Sequence, residues 1–71
     1  MIISAYNDQR GNNVRLEVDF DENYFPERYV VGVRPAGESL SEMKYPPTKQ
    51  GAENARKYYR NYVSMFEKTN S

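Results

Sequence analysis

The sequence predicts an α+β fold: a small three- to four-stranded antiparallel sheet followed by one long C-terminal helix packed on one face, βββα or ββ(β)βα. Two patterns carry this reading. From Val14 to Phe20, the apolar residues Val14, Leu16, Val18 and Phe20 alternate with Arg15, Glu17 and Asp19. That is the period of a strand with one dry and one wet face. After Pro46-Pro47, the residues Ala52, Ala55, Tyr59, Tyr62, Val63 and Phe66 gather on one stripe at about 100° per residue.

The remaining elements follow in chain order. Ile2 to Tyr6 is a short β-branched run and reads as a strand. Asp8 to Asn13 contains Gly11 and two Asn, residues that accept positive φ, and reads as a turn or short loop. After the alternating strand, residues 21–27 break the pattern. Pro26 argues against a central strand there, so the segment reads as a connecting loop, with or without one helical turn, and with Tyr24 and Phe25 folded back over a sheet edge. Arg28 to Arg34 is a third strand, with Tyr29, Val31 and Val33 on one face and Arg28, Val30, Gly32 and Arg34 on the other. Pro35 to Glu38 is a turn. Ser39 to Tyr45 fits a short edge strand and an irregular crossover equally well. Thr48 is placed to cap a helix running from about Lys49 to about Lys68, with Gly51 weakening its first turn and residues 69–71 fraying.

A chain of 71 residues is the size of one domain with a thin stability margin. It has no Cys and no His, so a disulfide and the usual zinc ligands are both missing. Seven Tyr and three Phe supply the bulk instead, and a domain that leans on Tyr shows some rings to solvent or to a partner. The N-terminal residues Met1 to Asp8 have neither a basic region nor a long apolar stretch, and no run approaches a membrane span. The expectation is a cytoplasmic protein with no membrane partner.

Ten Lys and Arg balance ten Asp and Glu, but unevenly along the chain. Residues 1–42 carry four Arg against eight acids; residues 43–71 carry six cations against two acids. The two halves attract each other, or the molecule presents one acidic and one basic face suited to steering a partner.

Little in the sequence carries chemistry. Without His or Cys the common nucleophile–base pairs are absent. Glu17, Asp19, Asp21 and Glu22 fit a solvated strand edge better than an acid–base pair. Residues 19–23 lack the spacing, the central Gly and the closing Glu of a calcium loop, and the four Gly form no phosphate cradle. No enzyme activity, metal or cofactor is expected. The helix is the informative element. Lys49, Arg56 and Arg60 recur at 7 and 4 residues and form a small basic ridge beside Lys57. Tyr58 and Met65 lie seven apart at one margin of the apolar stripe and, with Tyr45, form either core edge or an interface patch.

A sheet followed by a helix opening Thr48-Lys49-Gln50-Gly51-Ala52 resembles the small arm-binding domains of phage and transposon integrases. The resemblance covers those five residues and the element order. It implies basic strand residues that enter a DNA groove. Glu17 and Asp19 on the corresponding strand depart from that pattern, so DNA binding through the sheet is not carried over.

The sequence therefore points to a small non-enzymatic protein-binding or regulatory module, fitting a compact genome or mobile element. Its candidate partner-binding residues are Lys49, Arg56, Arg60, Tyr58, Met65 and Tyr45. The alternative is a nucleic-acid-binding module that uses the basic helix ridge. Homodimerisation through the Tyr-rich margin or a sheet edge competes with both.

Overall fold

A computed structural model describes the backbone of residues 1–21 and 24–70, with side chains outside 20–27 and 70. Its order is β1 (Ile2–Asn7), β2 (Asn13–Asp21), β3 (Tyr24–Arg34), β4 (Ser41–Tyr45) and α1 (Lys49–Asn70). The four strands form one antiparallel sheet in the order β1-β2-β3-β4. The helix packs on one face of it, over β2, β3 and β4. The fold is α+β, as the two periodicities require.

Register decides which residues meet. Val14 pairs with Val33, and Leu16 with Val31, so the apolar face of β2 continues across β3. Val14, Leu16, Val31 and Val33 are buried with Ala55 and Phe66 of α1. Tyr6, Tyr29, Tyr45, Tyr58, Tyr59, Tyr62 and Val63 close around them as half-buried rings and side chains. Tyr6 stacks on Phe66 with ring centroids 6.5 Å apart, which ties edge strand β1 to the end of the helix. The Phe20, Tyr24 and Phe25 side chains lie outside the described residues.

The ambiguous segment resolves as a strand. Ser41 to Tyr45 pair with Val33 to Tyr29 without a register shift. The reading of residues 21–27 as a loop is corrected in the other direction at Asp21 and over 24–27, while residues 22 and 23 lie outside the described residues. β3 begins at Tyr24, which pairs with Asp21, so β2 and β3 stay paired beyond the expected turn. Pro26 is accommodated because the register with β4 ends at Tyr29↔Tyr45. The β2 register also shifts between Asp19 and Asp21. Proline is tolerated at such an edge-like, bulged position.

The helix starts as its sequence suggests and ends later. The Thr48 hydroxyl accepts a hydrogen bond from the Gly51 N–H at 3.0 Å, the geometry of an N-cap. Gly51 is more than a weak helix former. It is buried, and a Cβ there would overlap the Pro46 carbonyl oxygen and lie 2.9 Å from the carbonyl carbon. At the other end α1 continues to Asn70, where fraying from residue 69 was expected. The Thr69 hydroxyl donates to the Phe66 carbonyl at 2.9 Å.

Two turns are joined at one end of the sheet. The Asp8 carboxylate accepts hydrogen bonds from the Arg10 and Asn12 backbone N–H groups, both at 3.0 Å, and from Asn12 Nδ2 at 2.9 Å. Asn12 is buried, and its Oδ1 accepts the Ala36 N–H at 2.7 Å. The β1–β2 turn thus grips the β3–β4 turn. Gly11 at φ +94° and Gly37 at φ +76° supply the left-handed residues these turns need.

Candidate functional site

One exposed flank of the helix carries the basic ridge. Arg56 and Arg60 are exposed. With Glu53, Lys57 and Asn61 they line one shallow surface depression. Lys49 is exposed at the first helical position. At about 100° per residue, Lys49, Arg56 and Arg60 fall within roughly 40° of one another around the helix axis. The ridge is therefore a real alignment of three cations along one flank.

The aromatic margin occupies the other flank. Tyr58 and Met65 lie roughly 140–180° around the axis from the three basic residues. Tyr58 packs on Tyr45 with ring centroids 6.2 Å apart, and on Tyr62 at 5.0 Å. Tyr62 continues the row to Phe66 at 6.1 Å. Tyr45 and Tyr58 are half-buried against the core, whereas Met65 is 48 % exposed. The six candidate residues therefore do not form one patch. Tyr45 and Tyr58 come together, Met65 extends their margin, and the cations stand apart from both.

Burial and neighbouring phenols shape these tyrosines. The Tyr58 pKa is raised first by its hydrogen bond with Tyr62, then by burial and by the nearby Tyr62 and Tyr45 phenols. Burial raises Tyr45 and Tyr59 as well. All three shifts lead away from neutral pH, so these rings stay protonated there. They suit packing and hydrogen bonding better than acid–base work.

The open face of the sheet differs from the acidic surface that the β2 sequence suggests. Register places Asn13, Arg15, Glu17 and Asp19 of β2 alongside Arg34, Gly32, Val30 and Arg28 of β3. Arg15 lies 3.6 Å from Glu17, and Arg28 lies 3.6 Å from Asp19. β4 adds Glu42 and Lys44 to the same face. Its described residues mix the cations Arg15, Arg28, Arg34 and Lys44 with the acids Glu17, Asp19 and Glu42. Arg15 on the same strand and Arg28 across on β3 offset Glu17 and Asp19, so the described part of this face is not an acidic surface.

Two features of that face were not legible from spacing. Val30 is buried between Glu17 and Lys44 in register. Leu40 reaches across Gly32, where a Cβ would lie 3.3 Å from Leu40 Cδ1, and with Asn13, Arg15 and Arg34 it lines a second shallow depression. Only the position of the β3–β4 turn brings Leu40 there.

Among the described residues, no three His, Cys, Asp or Glu side chains form a group able to hold a metal ion. No helix among the described residues is long and apolar enough to cross a membrane. No protein-family model, curated protein or solved structure matches the chain.

Proposed function

We propose that this chain is a non-enzymatic protein-binding or regulatory module and that the outward flank of α1 contacts its partner. One observation carries the reading: Arg56, Lys57 and Arg60 share a surface depression on a helix whose opposite side is anchored in the core. Arginine presents a planar, pre-organised fork to carboxylates, and a rigid helix fixes the spacing between two such forks. The complementary partner is a protein surface or segment rich in Asp and Glu. Glu53 within the same depression favours a partner with its own scattered cations over a uniform polyanion.

The test compares Arg56→Ala/Arg60→Ala with Glu17→Ala/Asp19→Ala as baits in extracts of the source cell. Loss of a captured protein with the first pair and its retention with the second supports the reading. The reverse pattern assigns binding to the sheet. A nucleic-acid-binding role for the same ridge is the other reading. It requires binding that survives about 150 mM salt, where three or four phosphate contacts retain little affinity.

A further inference from the structure

The sheet has two edges of different character. On β1 the register shifts between Ile2 and Ser4, a bulge of the kind that spoils an edge for further pairing. β4 is regular. It pairs with β3 from Ser41 to Tyr45 without a shift, and four of its five residues are exposed. Its outer row of backbone N–H and C=O groups points away from β3 and is open to another strand. Met43, on the helix side of β4, is 44 % exposed. Beside it runs the helix flank of Tyr58 and Met65, which is turned toward β4 because Tyr58 packs on Tyr45.

We propose that the β4 edge is a self-association surface, on which a second copy pairs its own β4 antiparallel about a two-fold axis at Met43. The strand sequence selects this occupant. Ser41-Glu42-Met43-Lys44-Tyr45, laid antiparallel on itself about Met43, sets Glu42 opposite Lys44 of the partner subunit and Lys44 opposite the partner subunit's Glu42. Opposite charges directly across a strand pair attract, and like charges repel. A slip of two residues sets Glu42 against Glu42 in one direction and Lys44 against Lys44 in the other. Only the register centred on Met43 satisfies both charges. It also gives the self-complementary contact that a two-fold dimer requires.

The other face fits as well. Met43 meets Met43 on the axis, below the Tyr58 and Met65 flanks of both helices. The helix spans β2 to β4, with β3 the middle of those strands. Two β3 strands would stand three strand spacings apart, about 14 Å, against the 8–10 Å at which helices pack. Both helices therefore fit on one continuous sheet, with side chains filling the gap. Arg56 and Arg60 lie on the far flank, so this dimer leaves the basic ridge open and does not depend on its role.

Sedimentation equilibrium over rising concentration is expected to show a monomer–dimer equilibrium. Glu42→Lys and Lys44→Glu, both at exposed positions, each put like charges across two symmetry-related pairs. Each should weaken the dimer by roughly tenfold or more. The Glu42→Lys/Lys44→Glu swap re-creates opposite pairs and should restore it. The chain has no cysteine, so Met43→Cys introduces the only thiol, and it does so on the axis. Directly opposed strand residues have Cα atoms about 4.5–5.5 Å apart, within disulfide reach. This variant should cross-link under mild oxidation, whereas Ile3→Cys on the bulged edge should not. A wild-type chain that stays monomeric at millimolar concentration overturns the proposal. So does a dimer indifferent to both single reversals, or one that cross-links through Ile3→Cys in preference to Met43→Cys.

Discussion

Replacing Gly51 by Ala sets two physical effects of opposite sign against each other. In a solvated helix this change stabilises by about 1 kcal/mol, because Ala restricts the unfolded backbone and favours helical φ and ψ. Here the new methyl would overlap the Pro46 carbonyl oxygen, lying 2.9 Å from the carbonyl carbon and 3.1 Å from the ring Cγ. The oxygen belongs to backbone between two prolines, so it cannot rotate aside as a side chain would. Either the helix start or the Pro46-Pro47 segment must move by about 1.5 Å to reach ordinary contact distances, at an overpacking cost of about 1–3 kcal/mol. That movement also loosens the Thr48 cap on Gly51, which contributes about 1 kcal/mol. The net expectation is a loss of about 1–3 kcal/mol, or a melting temperature lower by roughly 4–8 °C per kcal/mol in a domain this small. Urea unfolding followed by helical circular dichroism measures it. Ser64→Ala, exposed on the outer helix face, serves as the propensity-only control and should gain a few tenths of a kcal/mol. A Gly51→Ala protein as stable as wild type, or more so, would refute the steric argument.

Phe66→Ala should destabilise by about 3–5 kcal/mol, since Phe66 is buried and joins Tyr62 to Tyr6; a melting temperature within a degree or two of wild type would show that the core lies elsewhere. Asn12→Ala strips the Ala36 N–H and the Asp8 carboxylate of a partner each. It should cost about 1–3 kcal/mol and speed hydrogen exchange at Ala36, and unchanged exchange there would remove Asn12 from the turn clasp. The raised tyrosine pKa values give a signed pH dependence. The folded state holds the Tyr58, Tyr45 and Tyr59 protons more tightly than the unfolded chain. Their contribution is therefore fully present below about pH 10 and is lost as pH rises through the folded values. Alkaline titration of the melting temperature should fall less steeply in Tyr58→Phe, and identical curves would show that this phenol does not report folding.

What the sequence determined by itself was the local grammar. Alternation from Val14 to Leu16, the helical stripe through Ala55 and Phe66, and the Thr48 cap are short-range patterns, and the fold keeps each of them. Strand period and helix period depend only on backbone geometry, so they are readable without knowing what the element packs against. The alignment of Lys49, Arg56 and Arg60 is legible for the same reason. Tertiary structure decided whatever depends on pairing between distant segments. Ser41 to Tyr45 becomes a strand because β3 offers it an edge, and Pro26 enters β3 because β4 has already ended beside it. Gly51 reads as a flaw in an isolated helix and is a steric necessity once Pro46 lies against it. Glu17 and Asp19 of β2 read as an acidic face and are offset by Arg15 and Arg28. The basic ridge and the Tyr58–Met65 margin share a helix in sequence, yet only the packed sheet decides that one of them borders the β4 edge while the other faces outward. Side-chain periodicity says which residues share a face; only strand register and helix docking say what that face meets.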